Sequence, residues 1–198
     1  MAKFFGNNQN TIAVSQKEQL QGNYSKSVGN LLLVIVFTVV NIILLVSNSN
    51  TYFLFSAFVP YFIADYGMFF TGKYPEAYYE GMTDFEFVDI SFLYVTLAVS
   101  AVVIVLYLLS WIFARKGKIG WLYVATVMFV IDTLAMFALT GFSTESIIDI
   151  VFHAWVLYCL INGIVTFNKI KKLPDEEPQL AEEIQINGET LNKSQSFE

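Results

Sequence analysis

Apolar residues in this chain come in long unbroken runs, not in the three-four or alternating rhythm of a fold that keeps one face in water. "NLLLVIVFTVVNIILLV" fills 30–46, and three further runs fill 90–114, 119–141 and 146–167. A helix crosses the hydrocarbon of a bilayer in about 20 residues at about 1.5 Å each. With a turn added at each end of the first run, all four have that length, so the pattern predicts spans at 29–48, 90–114, 119–141 and 146–167. A fifth run, "TYFLFSAFVPYFIADYGMFF" at 51–70, is long enough to cross, but Pro60 interrupts its middle and Asp65 follows a turn later. Proline lacks a backbone donor and bends a helix interior.

Charge decides between two threadings of that fifth run. Lysine and arginine near span ends collect on the cytoplasmic side. Arg115, Lys116 and Lys118 join the second and third of the spans just named, and Lys169, Lys171 and Lys172 follow the last. The loop 71–88 instead carries Lys73 against Glu76, Glu80, Asp84 and Glu86, as an external loop should. If 51–70 crosses fully, the N-terminus and its Lys3, Lys17 and Lys26 lie outside. If the segment dips in and returns, both termini are cytoplasmic and the basic bias is almost complete. The second threading is the expectation: an all-α integral membrane protein of four transmembrane helices plus a broken or re-entrant segment at 51–70. Five full spans is the alternative. Tyr107, Trp111, Trp121 and Tyr123 flank the basic loop and are expected to form an interfacial aromatic belt.

Composition sharpens this class. Of the 198 residues 56% are hydrophobic, 17% aromatic and 14% charged, and the mean hydropathy is +0.56; soluble domains carry roughly a quarter charged residues. The formal charge of -6 resides in the tail 174–198, where seven acidic residues face Lys193 alone. The rest of the chain nets to zero, which leaves no basic surface for nucleic acid. That tail has two prolines and no sustained apolar period, so it is expected to be a disordered acidic cytoplasmic segment, either a docking tail or a solubilising end. The chain thus divides into a polar cytoplasmic segment 1–28, a helical membrane domain 29–168 and a basic stop with acidic tail 169–198. The first 28 residues lack the apolar core of a secretory signal, so the run at 30–46 reads as an uncleaved anchor. No lipidation or retention signal is evident at either end. A single arginine among many lysines, with abundant Asn, suggests an AT-rich bacterial genome and hence a plasma membrane.

Four ionisable side chains fall inside the apolar runs: Asp65, Asp132, Asp149 and His153. Such groups are costly in hydrocarbon and should face helices or water, so each is a candidate for function. Helix counting puts Asp132 about 13 Å from the outer end of its span, with His153 about 10 Å and Asp149 about 5 Å deep in the next. The short connection "FSTE" makes those two helices antiparallel neighbours. Asp132 and His153 can therefore meet across one interface, with Ser146, Asp149, His153, Val156 and Leu160 on one stripe and Ala125, Met128, Asp132, Ala135 and Leu139 on the other.

The leading reading is a structural polar set in which Asp149 accepts a hydrogen bond from His153 and Asp132 bonds a partner helix. Proton or cation coupling through the same three residues is the sharper alternative. A metal site would need a further ligand, so none is expected, nor any cofactor. A Ser-His-Asp hydrolase would have to use Ser143 or Ser146 without a GxSxG turn, so no catalytic residue is assigned. Pro60 and Asp65 mark either a helix kink or a broken-helix ion site. Asn41, Asn162, Thr96 and Ser100 read as interhelical polar contacts, and the lone Cys159 as a small buried hydrophobe. The functional expectation is a non-catalytic membrane component that self-associates or joins a larger membrane complex. A proton- or cation-coupled carrier or channel subunit comes second, and an intramembrane enzyme third.

Overall fold

The computed structural model describes residues 2–82, 85–141 and 147–173, with side chains from residue 16 onward. The expectations placed on the acidic tail and on the "FSTE" connection with its two serines lie outside the described residues. Every regular element among the described residues is helical: α1 (Ala2–Val46), α2 (Phe58–Phe70), α3 (Ser91–Arg115), α4 (Ile119–Thr140) and α5 (Ile147–Ile170), with a short 3-10 turn at Glu76–Tyr79. Four of them (Gln16–Val46, α3, α4 and α5) are long and apolar enough to cross a membrane. The helix of the first run starts well before residue 29, because nothing in the polar stretch before it breaks a helix.

The four long helices pack around a core of Val28, Leu31, Val34, Leu122, Ala125, Phe129, Val156 and Leu160. Their outward faces carry Ile43, Val102, Ile131, Leu134 and Val151, each largely exposed, as lipid-facing positions should be. The bundle has two chemically distinct ends. At the basic end the Tyr24 hydroxyl donates to the Ala114 carbonyl at 2.7 Å, and its ring packs on Phe167. That brings α1 beside the Arg115–Lys118 turn and the lysines that follow α5. The opposite end holds Glu76, Glu80, Glu86 and Asp89. Asp89 Oδ1 accepts the Ser91 N–H at the start of α3, and these bonds hold its carboxyl below the ordinary range.

The expected aromatic belt forms only in part. Trp111 lies beneath the Arg115 guanidinium, 5.1 Å away. Trp121 stacks on Phe113, and Tyr123 is exposed. Tyr107 is buried at 2% exposure and meets Phe129 edge-on, because it is one helical turn deeper than Trp111.

Between α1 and α3 the segment after Val46 turns back on itself. Asn41 clamps the extended strand of chain by accepting the Phe53 N–H at 2.8 Å and donating to the Phe53 carbonyl and Ser56 Oγ. Thr38 Oγ1, a turn deeper along α1, accepts the Ala57 N–H at 2.8 Å. Helix α2 then runs back the way the chain came, and Asn48 at the end of α1 donates to the Lys73 carbonyl at 3.1 Å. Both ends of the 49–73 hairpin are therefore at the acidic end of the bundle, and its deepest point is at Ala57. On its other side α2 meets α3 closely. Ser100 Oγ donates to the Pro60 carbonyl at 2.7 Å, and a Cβ on Gly67 would come within 2.0 Å of Thr96 Oγ1. Only glycine permits that approach.

Pro60 neither kinks nor interrupts a crossing helix. It is the third residue of α2, in the first turn, where a backbone N–H has no intrahelical acceptor.

Candidate functional site

A helix that begins inside a protein core has to account for the backbone donors of its first turn. The residue before α2 is Ala57, whose side chain has nothing to offer as a cap. Each donor is met from another helix instead. Thr38 takes the Ala57 N–H, Asp132 Oδ2 takes Phe58 N–H at 2.9 Å and Asp132 Oδ1 takes Val59 N–H at 2.7 Å. Pro60 has no N–H to satisfy. The buried start of α2 is thus capped completely, and the cap comes from α1 and α4. A carboxylate here also faces the positive end of the helix dipole. Thr38 is used to capacity as well, since its hydroxyl donates to the Val34 carbonyl at 2.7 Å.

Asp132 has a third partner. His153 Nε2 is 3.1 Å from Asp132 Oδ2, across the α4–α5 interface, and both residues are only 2% exposed. Phe129 stacks on the imidazole with centroids 5.1 Å apart, and Phe152 meets it edge-on. The other ring nitrogen, Nδ1, is 2.8 Å from the Asp149 backbone carbonyl. A carbonyl oxygen only accepts, so Nδ1 carries a proton. The Nε2···Oδ2 contact pairs the two buried polar groups with each other, which offsets part of the cost of burying them.

The sequence candidates divide sharply. Asp132 and His153 are brought together across the α4–α5 interface. Asp149 contributes its backbone rather than its carboxylate, which is not the bond expected for it. Its side chain lies in the first turn of α5, and its Oδ1 is buried with no hydrogen-bond partner among the described residues. The buried stripe of α4 is Leu122, Ala125, Phe129, Asp132, Thr133 and Met136, turned away from the expected line so that Leu139 is exposed. Pro60 and Asp65 belong to one helix but not to one site. Pro60 adjoins the Asp132 cap, whereas Asp65, four to five residues along, points into a cavity at the acidic end. Ser100 joins α3 to α2, while Thr96 bonds only within its own helix.

Thr38 and the backbone donors of Phe58 and Val59 were not singled out by sequence reasoning. The usable signal was "SAFVP". A proline soon after an apolar residue that cannot cap marks a helix start whose cap must come from elsewhere. Among the described residues no three His, Cys, Asp or Glu side chains converge as metal ligands. The chain matches no protein-family model, no curated protein and no solved structure, so its site is read from geometry alone.

Proposed function

We propose that this chain is a non-catalytic, multi-pass component of the plasma membrane of a bacterium, and that Asp132 and His153 form a structural latch that holds a re-entrant hairpin at 51–70. The observation that carries this reading is how Asp132 is engaged. Its carboxylate receives two α2 backbone donors and the His153 ring, so three of its roughly four acceptor sites are taken by the protein itself. A group that works on a substrate is kept open toward it; this one is turned mainly to architecture.

The two-ended charge pattern supports an orientation with both termini, the Arg115–Lys118 turn and the tail in the cytoplasm, and with the acidic loop outside. In that frame the hairpin enters and leaves on the outer face. Its irregular backbone at membrane depth is tolerable because Asn41 and Thr38 of α1 and Asp132 of α4 meet its polar groups. In intact cells, single cysteines at Glu80, Gly117, Asn8 and Ser194 in a Cys159→Ala background should separate cleanly. Only the Glu80 position reacts with an impermeant thiol reagent. Reaction at Asn8 as well would replace the hairpin with a fifth span.

A second reading, a proton- or cation-coupled subunit, draws on the Nε2···Oδ2 contact and on the unpartnered Asp149 Oδ1. So few helices would need an oligomer or a larger membrane complex to enclose a path. Purified wild type, His153→Gln, Asp132→Asn and the double variant separate the readings when scored for melting temperature and for pH-driven ion flux in liposomes. The latch predicts coupled losses of stability and no flux from any form. Wild-type flux that vanishes in well-folded single variants would overturn it.

A further inference from the structure

The mouth of the hairpin encloses a cavity of about 410 Å³, bounded by the end of α1, the descending chain, α2 and the loop that follows it. That size is in the range of small-molecule sites, about 300–1,000 Å³. Its walls are unusual for this chain in being tyrosine-rich. Tyr52 and Tyr61 meet edge-to-face with centroids 5.0 Å apart, and Tyr74 and Tyr78 stack at 4.9 Å. Asp65 lines the same space, one turn beyond Tyr61 on α2, and Asn48 adds an amide at the rim.

The carboxylate in this cavity is bonded differently from Asp132. The Tyr74 hydroxyl donates to its Oδ1, and among the described residues no lysine or arginine pairs with it. Burial and the hydrogen bond to Asp65 push the Tyr74 phenol well above its ordinary range, so it stays a neutral donor to that carboxyl group. The loop that supplies Tyr74, Pro75 and Tyr78 to the lining also carries Glu76 and Glu80 against Lys73, a net negative charge. Anions are repelled from such a site, and a single carboxylate with phenols offers too few strong ligands for a bare divalent ion. Aromatic faces around one negative charge suit a soft, weakly hydrated cation.

We propose that this pocket binds a small organic ammonium ion, with its charge set against Asp65 and the rings of Tyr61, Tyr74 and Tyr78. Asn48, whose amide nitrogen donates to the Lys73 carbonyl, presents its amide oxygen to a hydroxyl or similar donor on the same molecule. The acidic loop raises the local cation concentration at the entrance. The same chemistry is presented by a free quaternary amine and by a choline lipid headgroup, and the site opens on the face where either would arrive. The inference does not depend on the Asp132–His153 latch, which lies deeper and is not part of the cavity lining.

The full chain reconstituted in phosphatidylglycerol nanodiscs is titrated calorimetrically with choline, tetramethylammonium and dimethylbutanol, the uncharged carbon isostere of choline. Both cations bind and the isostere does not. Asp65→Asn weakens choline at least about tenfold, and Tyr78→Leu about fivefold. Tyr78 is 55% exposed, so its variant keeps the wild-type melting temperature even if the Asp65 variant does not. Repeating the titration in phosphatidylcholine discs identifies the source. Choline binding that is lost there points to the headgroup, and binding that persists points to the free amine. Equal binding of the isostere, no binding of choline in phosphatidylglycerol, or wild-type affinity in both variants would overturn the proposal.

Discussion

Asp132 and Asp65 are two carboxylates on either side of the same short helix, and they are built to opposite ends. Asp132 is 2% exposed and bonded to two backbone donors and an imidazole. Asp65 is half-buried, bonded to one phenol, and faces a cavity. The first holds α2 by its N-terminus; the second is held by the loop beyond its C-terminus. A carboxylate in an apolar interior with three of its roughly four acceptor sites taken by the protein is a structural joint, because little of it is left for a further ligand. A carboxylate with one neutral partner and open space retains most of its field for something that arrives. The residue type does not separate the two roles, and the number of donors already aimed at the oxygens does.

That comparison breaks most visibly at Asp132. Replacing it with leucine leaves the Phe58 and Val59 N–H groups and the His153 ring unpaired together. Loss of one partner of a buried pair costs about 3–5 kcal/mol, and each orphaned donor adds about 1–3 kcal/mol. Asp132→Leu should therefore lower the unfolding free energy in detergent by at least about 3 kcal/mol. It should also free the hairpin, so that a cysteine at Ser56 becomes reactive in the variant and stays protected in its wild-type counterpart. A near-neutral change in both readouts would show that the α2 N-terminus is secured without the carboxylate.

The same substitution at the other carboxylate is the smaller effect. Asp65→Leu removes one acceptor from the Tyr74 hydroxyl at a site near solvent, where the phenol can turn to water. Stability should change by less than about 1 kcal/mol, while choline binding disappears. If Asp65→Leu proved as costly as Asp132→Leu, both carboxylates would be structural and the distinction between them would collapse.

How far the sequence disclosed these two sites follows from what each depends on. The four long helices were legible because the bilayer imposes a length and a composition that a run of residues either has or lacks. Asp132 and His153 were legible as a pair because antiparallel helices joined by a short connection share depths, which is arithmetic at 1.5 Å per residue. That 51–70 is not one continuous helix was foreshadowed by a proline in an apolar run, since α2 begins only at Phe58. What was hidden was rotational and long-range. The stripe of α4 was set about one residue away from where it lies, while His153, Val156 and Leu160 of α5 are buried as expected; lipid-facing and core-facing positions are equally apolar and give little helical phase. The cap on α2 joins residues 74 and 73 positions apart, and backbone donors leave no trace in side-chain identity. The tyrosines of the cavity come from three separate segments, so no local spacing draws them together. Asp65 was noticed for its place in an apolar run, although its meaning comes from the loop that folds over it.

At Pro60 the sign of the effect is the informative part. A proline that kinks a spanning helix removes a hydrogen bond and forces a clash, so replacing it with alanine would stabilise the protein. In the first turn of α2 neither penalty applies. Alanine there restores an N–H for which the interior provides no acceptor, since Thr38 and Asp132 already serve the three donors before it. It also loosens the unfolded chain, which by itself costs about 0.4–1 kcal/mol. Pro60→Ala should accordingly destabilise by about 1 kcal/mol, with the Ser100 bond to the residue-60 carbonyl kept. The measurement is chemical unfolding of Pro60→Ala against wild type in the same micelle. A gain in stability would mean that the proline strains a continuous helix, and that the interior start of α2, on which the contrast between Asp132 and Asp65 rests, is not where the chain turns.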